Sequence, residues 1–541
     1  MTLTSIPVLI AGGGPVGMTV ALDLARRGIR CTLVEKNENT TRHPKMDVTN
    51  SRSMELFRGL GIIPELRAAA LPASQPFDVS WITSFAGYEL ARFRYPNVDQ
   101  VNTGIKEKND GTQPLEAPMR VSQVEIEPVL KTAAENHPLI DVRFGVAFES
   151  LVQDETGVTV TLNRSEDKGH ERVRCEYLIG CDGGNSVVRR CLDIGLTGDS
   201  HVMDRFMTHF KSDRRDVLQR WGAAWHYQSA VGTLIAQNDR DTWTLHTRFP
   251  DAVGEFPDPS ALIRQFTGVD IDHEILVANP WIGRLVVADK YRKGRVLLAG
   301  DAVHQYIPTG GYGMNTGIGD AFDVAWKVAA VLSGFGGSQL LDSYEAERRP
   351  IGIRNCAGSR RHNDTRKQIG ALYHRPLEEQ SSAGAASRAY VGERIRAIGN
   401  AENESRGIEM GYIYANSPIV YQETGVFAPL DPINYVPSTV PGARLPSIFL
   451  QDDSPLYDHL GEWFTLLDFG SNGESCGLLA SAAKELNIPL KIVRIGDQKL
   501  LSIYEAPIIL VRPDHHVAWR GSRIDNSAVA KTILLKVLGW E

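Results

Sequence analysis

Ile6-Pro7-Val8-Leu9-Ile10 is an unbroken apolar run of strand length, the pattern of a parallel strand covered on both faces. A glycine cluster follows. From Met18 to Arg27, Val20, Ala21, Leu24 and Ala25 recur at helical spacing, and Gly28 is placed to stop that helix. Arg30 to Val34 is a second strand-like run, closed by Glu35. The opening thus predicts a βαβ unit. Ser51 to Leu60 and Ser122 to Asn136 read as helices, and Cys175 to Cys181 and Arg295 to Ala299 as further strands.

The pattern changes from about Val202 to Arg284. Pieces rich in Trp, His and Thr (Ala223 to Tyr227, Gly232 to Ala236, Thr242 to Phe249) alternate with turn residues. They predict an antiparallel sheet inserted between halves of the first domain. Strict alternation would set His226 on the face opposite Trp225 and Tyr227. The chain then turns helical through Leu332 and from Leu341 to about Ala401, and Pro418 to Pro446, rich in Pro and Gly, marks a boundary. Beyond it, strands at Phe464 to Asp468, Leu490 to Ile495 and Pro507 to Val511, with helices at Leu478 to Leu486 and Ser527 to Leu538, predict a small α/β unit.

Length and charge narrow the class. A chain of 541 residues suggests roughly three domains. Net charge is −7 without a long basic run, which argues against nucleic acid as a partner. The six cysteines contain no C-x-x-C, so zinc and dithiol chemistry are not expected, and a reducing, cytoplasmic setting is. No apolar stretch approaches the roughly 20 residues of a membrane-spanning helix, and no signal peptide is expected.

Chemistry enters with Gly12, Gly14 and Gly17, a G-x-G-x-x-G enclosing Pro15 and Val16 between strand and helix. Gly12 permits the tight turn, Gly14 a close approach to pyrophosphate, and Gly17 close helix–sheet packing. The helix N-terminus offers N–H groups to the phosphates. Glu35, at the end of the next strand, is placed for ribose hydroxyls and favours FAD or NAD over NADP. Two further strands end in Gly180-Cys181-Asp182-Gly183 and in Gly300-Asp301-Ala302-Val303-His304. The second leads into Pro308, Gly310, Gly311, Tyr312, Gly313, Met314 and Asn315. A strand-end carboxylate suits a sugar-alcohol hydroxyl, and a glycine-rich helix start suits the anionic edge of a reduced flavin.

In this order the three motifs resemble those of the single-component FAD-dependent aromatic hydroxylases, the class of p-hydroxybenzoate hydroxylase and phenol hydroxylase. The likeness spans about residues 5 to 360, and GDAVHQYIPTGGYGMNTGIGDAFDVAWK matches the family pattern throughout. PGARLPSIFL, SPLYDHLGEWFTLLDF and PIILVRPDHHVAWRG resemble the thioredoxin-like domain of the phenol hydroxylase branch. The resemblance implies an α/β architecture of three parts. A Rossmann-like FAD-binding domain would span 1–78, 105–190 and 285–400. An inserted antiparallel β-sheet substrate domain would span 79–104 and 191–284, and a thioredoxin-like domain 425–541.

Carried onto this sequence, the resemblance implies that Gly12, Gly14, Pro15, Val16, Gly17, Glu35 and Lys36 hold the ADP half of FAD. Gln123 would contact the ribityl or phosphate region, and Gly300 and Asp301 the ribityl chain. Pro308, Gly311, Gly313, Met314 and Asn315 would lie along the isoalloxazine ring. Asp182 would serve FAD and pyridine nucleotide, with a simple turn aspartate as the competing reading. Lys45 or Arg42 would contact pyrophosphate. His304 is expected to pack rather than carry protons. Without a second G-x-G-x-x-G, NADPH or NADH would dock transiently.

The implied reaction is hydroxylation of a phenolic ring with NAD(P)H and O₂ through a flavin C4a-hydroperoxide. Such a site needs a base near the phenol and walls that exclude water. Asp47 aligns with that base by its spacing to Arg52 and Glu55. The competing reading makes it a cap for the Ser51 helix, and Val48 stands where the family more often has a smaller residue. Pro308 and Tyr312 are expected beside the reacting centre, and His226, Tyr227, His246 and Arg248 are the polar candidates on the inserted sheet. Epoxidation or Baeyer–Villiger oxidation of a polyketide-like substrate is the alternative chemistry. A halogenase is disfavoured because W-x-W-x-I-P is absent, and a catalytically dead FAD protein because all three glycine motifs are intact. The expected partner is a small aromatic molecule, with no metal and no membrane, and with a homodimer as the family habit.

Overall fold

The computed structural model describes residues 4–164, 169–249, 256–423, 430–470 and 473–540. The first apolar run forms the strand Thr4–Ala11, flanked in parallel by Cys31–Glu35 and His170–Gly180. Ile140–Phe144 extends the sheet on one side and Val296–Leu298 on the other, both parallel. Val8, Leu9 and Ile10 are fully buried in one core with Met18, Val20 and Leu24 of helix Pro15–Arg26 and with Ile318 and Val324 of helix Tyr312–Leu332. Burial among these residues explains why the strand shows no polar alternation. Gly28, just past the first helix, has φ +79°, as a helix stop requires.

The sequence pattern did not foresee four of the eight strands of this sheet, Ile140–Phe144 and Arg292–Lys293 among them. Val146–Gln153 and Val158–Arg164 pair with each other, and the second pairs with His170–Gly180, all antiparallel.

The inserted sheet has eight strands built around the long pair Leu196–Lys211 and Glu274–Ala288. Its far edge is Val79–Ile82 and Glu89–Phe93. One expectation needs correction: the piece at Ala223 to Tyr227 forms a strand only over His226–Gln228, and it pairs in parallel with Val79–Ile82. The faces divide by alternation. Phe206, Phe210, Tyr227, Leu234, Trp243 and Leu245 pack with helix Pro259–Thr267 into a separate apolar core. Arg205, Met207, His226, Thr233 and His246 take the opposite face, towards the strand ends of the parallel sheet.

Ser338–Gly370 is one helix of 33 residues, followed by Ser382–Ile398. The C-terminal unit is a four-stranded sheet in which Phe464–Asp468 lies between Leu490–Arg494, parallel, and Ile508–Val511, antiparallel. Val517–Gly521, unforeseen in the sequence, is its outer strand. Helices Glu474–Glu485 and Ser527–Val537 complete the unit. The boundary placed at residue 425 lies outside the described residues, as does part of the Pro418 to Pro446 stretch.

Two buried ionic clusters join this unit to the rest. Arg512 reaches Glu347 at 2.6 Å, Asp514 at 2.7 Å and Asp323 at 3.0 Å, and Lys327 bonds both Glu347 and Asp323. Arg444 bonds Glu55 on helix Ser51–Arg58, and Arg52 Nη2 of that helix donates to the Asp514 carbonyl oxygen at 2.6 Å. Burial alone would raise the Glu55 carboxyl, but Arg444 and Arg52 outweigh it and hold it ionised. Among the described residues, no helix is long and apolar enough to cross a membrane.

Candidate active site

Between the parallel sheet's strand ends and the inserted sheet lies a cavity of about 1590 Å³. That exceeds the roughly 300–1,000 Å³ of a site for one drug-sized ligand. All three motifs line it.

At one end, Gly12 has φ +114°, and a Cβ there would meet the Cys181 carbonyl oxygen at 2.2 Å. Gly14 is the N-cap of helix Pro15–Arg26 and makes no side-chain cap, so the first-turn N–H groups remain available for a phosphate. Glu35 Oε2 accepts from Gly13 N at 2.8 Å, and Oε1 accepts from Asn37 N at 2.9 Å. The carboxylate therefore fastens the glycine turn to the second strand end. Lys36 and Lys45 line the same wall. Gln123 Nε2 donates to Glu127 Oε1 at 2.6 Å, and Thr41 N donates to Glu127 Oε2 at 2.7 Å.

Asp182 also borders the cavity, but its carboxylate is engaged as a cap, accepting from Ser186 Oγ, Val187 N and Val188 N at 2.5, 2.6 and 3.1 Å. The turn reading describes its side chain. Asp301 is different. It sits in the tight Gly300–Ala302 turn after Val296–Leu298, is exposed and borders the cavity. Burial raises its carboxyl above the ordinary range. Asp320 anchors the turn, accepting from Gly300 N at 3.1 Å and Arg348 Nε at 2.8 Å and pairing with His304 Nε2 at 2.6 Å. His304 is fully buried and packs.

Pro308 accepts from Gly311 N at 3.0 Å, and Gly311, with φ +63°, starts helix Tyr312–Leu332. Asn315 fixes this loop: its Oδ1 accepts from Asn50 N and Ser53 Oγ, and its Nδ2 donates to the Val48 and Gly311 carbonyls. Met314 and Gly313 border the cavity beside it. Tyr312 is only 3% exposed, and its hydroxyl is bonded to His362 Nε2 of the long helix at 2.8 Å.

At the other end, Asp47 Oδ2 accepts from Trp225 Nε1 at 2.5 Å and lies 3.7 Å from His226 Nε2. Asn50, not Asp47, caps helix Ser51–Arg58. Burial pushes the Asp47 carboxyl up, but His226, Trp225 and Arg120 outweigh it, and the net shift is downward. Asp47 is thus an ionised carboxylate in an enclosed corner. The His226 ring lies against Trp225, tilted by 32° with centroids 4.2 Å apart, and both line the cavity. The expected opposition fails because Trp225 precedes the strand, where alternation does not hold.

Tyr227 is a second correction: it points into the core behind the sheet, donates to the Gly222 carbonyl at 2.7 Å and does not line the cavity. His246 and Arg248 do line it. Burial lowers His246 to about 4, leaving it neutral beside Trp281 Nε1.

Several lining residues escaped the sequence reading. Arg366 pairs with Glu402 at 2.6 Å and reaches Thr233 Oγ1 at 3.2 Å. Arg120, which does not itself line the cavity, lies over the ring of the lining residue Trp225, and burial lowers it to about 10. Burial pushes the Glu409 carboxyl up to about 7. No local motif marks these residues. Only Arg205, alternating with Phe206 and Phe210 in a strand, carried a usable signal.

Comparison with known proteins accounts for this arrangement. Residues 5–359 match a family model described as FAD binding domain, and residues 438–540 one described as aromatic-ring hydroxylase, C-terminal. The FAD-dependent monooxygenase apdD of Emericella nidulans is 35% identical, over 99% of this chain and 90% of its own. Phenol 2-monooxygenase of a Pseudomonas species is 30% identical, over 98% and 92%. The solved structure of the flavin-dependent monooxygenase PieE with FAD and substrate has a TM-score of 0.89 at 28% identity, covering 99% of both chains. The cavity's phosphate-ready helix start, its free Asp301 carboxylate and its glycine-rich loop fit FAD, with O₂ and a nicotinamide as co-reactants. The chain belongs to the FAD-dependent aromatic-ring hydroxylases and is a flavoprotein monooxygenase.

Proposed function

We propose that this enzyme hydroxylates a phenolic ring, using NADPH or NADH and O₂. The observation that carries the reading is the Asp47 corner, where an ionised carboxylate meets Trp225 and His226 in the cavity. Bound FAD, once reduced, supplies activation of O₂ and transfer of one oxygen atom. The protein does the rest. The first-turn N–H groups after Gly14 and the glutamate wall at Glu35 hold the ADP half, Asp301 a ribityl hydroxyl, and the Pro308 to Asn315 loop the ring system. Asp47 accepts the phenol's hydrogen bond, directly or through His226, and so raises the electron density of the ring. The inserted sheet excludes water from the reacting centre. The likeness to phenol 2-monooxygenase supports a phenolic substrate.

The test is NAD(P)H oxidation by the holoenzyme against a panel of one- to three-ring phenols under ¹⁸O₂, with products read by mass spectrometry. One labelled oxygen on a ring carbon is the expected result. Label in an epoxide or an inserted ester oxygen, or no stimulation by any phenol, overturns the reading.

A further inference from the structure

Arg205 and Arg248 are direct cross-strand partners on the cavity face of the inserted sheet. Like charges placed opposite one another are destabilising. Among the described residues neither guanidinium has a carboxylate within ion-pairing distance. Arg205 donates only to the adjacent Asp204 carbonyl oxygen, at 3.0 Å. Burial, then Arg248, then Arg366 disfavour the charged form of Arg205. Arg366 is already matched by Glu402, and His246 in the next row is neutral. Only the Asp204 charge favours the charged form of Arg205, so among the described residues the two guanidinium groups at this end of the cavity have no carboxylate paired with them. Trp281 is the other cross-strand partner of Arg205 and lends the site an apolar flank.

The position is informative. In register, His226 pairs with Ile235, Thr233 with His246, and Arg248 with Arg205. The arginine pair is thus two side-chain rows from His226 on the same face. At 3.3–3.4 Å per residue that is about 13 Å along the strands, and Arg248 and Arg205 stand a further two and three strands across, at about 4.8 Å per strand. A single phenol ring at the Asp47 corner does not reach it.

We propose that Arg205 and Arg248 form an oxyanion clamp, so that the substrate is an elongated or multi-ring phenol carrying a carboxylate or an equally acidic oxygen at its far end. Two guanidinium forks beside an indole suit a planar aromatic acid, which they bind by paired charge-assisted hydrogen bonds. The same chemistry would hold a phosphate of the nicotinamide cofactor, so the test separates the two sources. The proposal rests on the hydroxylase reading for the placement of the phenol end, but its readout is binding and needs no turnover.

The holoenzyme is titrated with 4′-hydroxybiphenyl-4-carboxylate, its methyl ester and 4-hydroxybiphenyl, and Kd is read from the change in the flavin spectrum. The wild type is expected to bind the acid at least about tenfold tighter than the ester, and R205Q/R248Q to bind the two within about twofold. KM for NADPH is expected to stay constant. R248Q alone, at an exposed position, and R205K, which keeps charge but loses the fork, give intermediate preferences should the double variant fold poorly. Equal binding of acid and ester by the wild type, or no spectral change with the acid at millimolar concentration, overturns the clamp. So does a preference that survives in R205Q/R248Q. A raised KM for NADPH with the acid preference intact assigns the arginines to the cofactor and also overturns it. Labelled ring products from neutral phenols alongside a failed acid preference sink the clamp alone; an acid preference without ring oxygenation sinks the hydroxylase reading alone.

Discussion

Gly17 lies so close to Gly12 that a Cβ on it would stand 1.9 Å from the Gly12 carbonyl oxygen, whereas a Cβ on Gly14 would meet no protein atom within 4 Å. The two positions should fail differently. Gly14→Val is expected to fold with wild-type circular dichroism and elute colourless, since the new side chain displaces only a ligand. Gly17→Val is expected to be largely insoluble. A yellow, fully loaded Gly14→Val would remove the phosphate assignment.

Asp47→Asn keeps the shape of the corner but loses its charge. Coupling of NAD(P)H oxidation to ring product should fall by about 10²-fold, with the difference recovered as H₂O₂. Because Asp47 sits below the ordinary carboxylate range, the wild-type coupling should be flat through neutral pH and fall only in acid. Equal coupling in variant and wild type, measured by product and peroxide yields, would dismiss the role.

Tyr227 faces the apolar core, and its hydroxyl donates to the Gly222 carbonyl. Tyr227→Phe should cost about 1 kcal/mol of stability in urea melts and leave substrate affinity unchanged. A tenfold loss of affinity would return Tyr227 to the cavity.

The Arg512 cluster sets three carboxylates, Asp323, Glu347 and Asp514, against two cations. Burial, reinforced by Glu347 and Asp514, lifts Asp323 to about 8 despite Lys327 and Arg512, so the folded protein keeps a proton that the unfolded chain loses near pH 4. Folding then binds the extra proton between those values, and this group's contribution to stability is lost as pH rises from about 4 to about 8. Asp323→Asn should flatten that slope and gain relative stability at pH 8, as read by thermal melts. Arg512→Met, which strands the carboxylates, should cost roughly 3–5 kcal/mol.

What the sequence disclosed follows from range. The glycine turns, Glu35 and the Asp301 turn are set by local backbone sterics and strand ends, which neighbouring residues reveal. Asp47 was singled out only through the family resemblance; its partners Trp225 and His226 lie 178 and 179 residues away, and only folding brings them together. Tyr227 was misplaced in kind: a polar-tipped ring in a strand satisfies its hydroxyl at a turn carbonyl as readily as in a pocket. The Arg205–Arg248 pairing depends on strand register, which a one-residue slip would abolish, and composition does not reveal it.

The tie from Arg444 to Glu55 reaches past the C-terminal unit. Glu55 belongs to the helix whose start holds Asn315, and that helix follows directly on the segment carrying Asp47. A C-terminal unit without an arginine at position 444 would leave Glu55 as a buried anion short of its main partner. Recombination with such a unit is therefore expected to succeed only when residues 47–58 travel with it, so that two stretches nearly four hundred residues apart behave as one module.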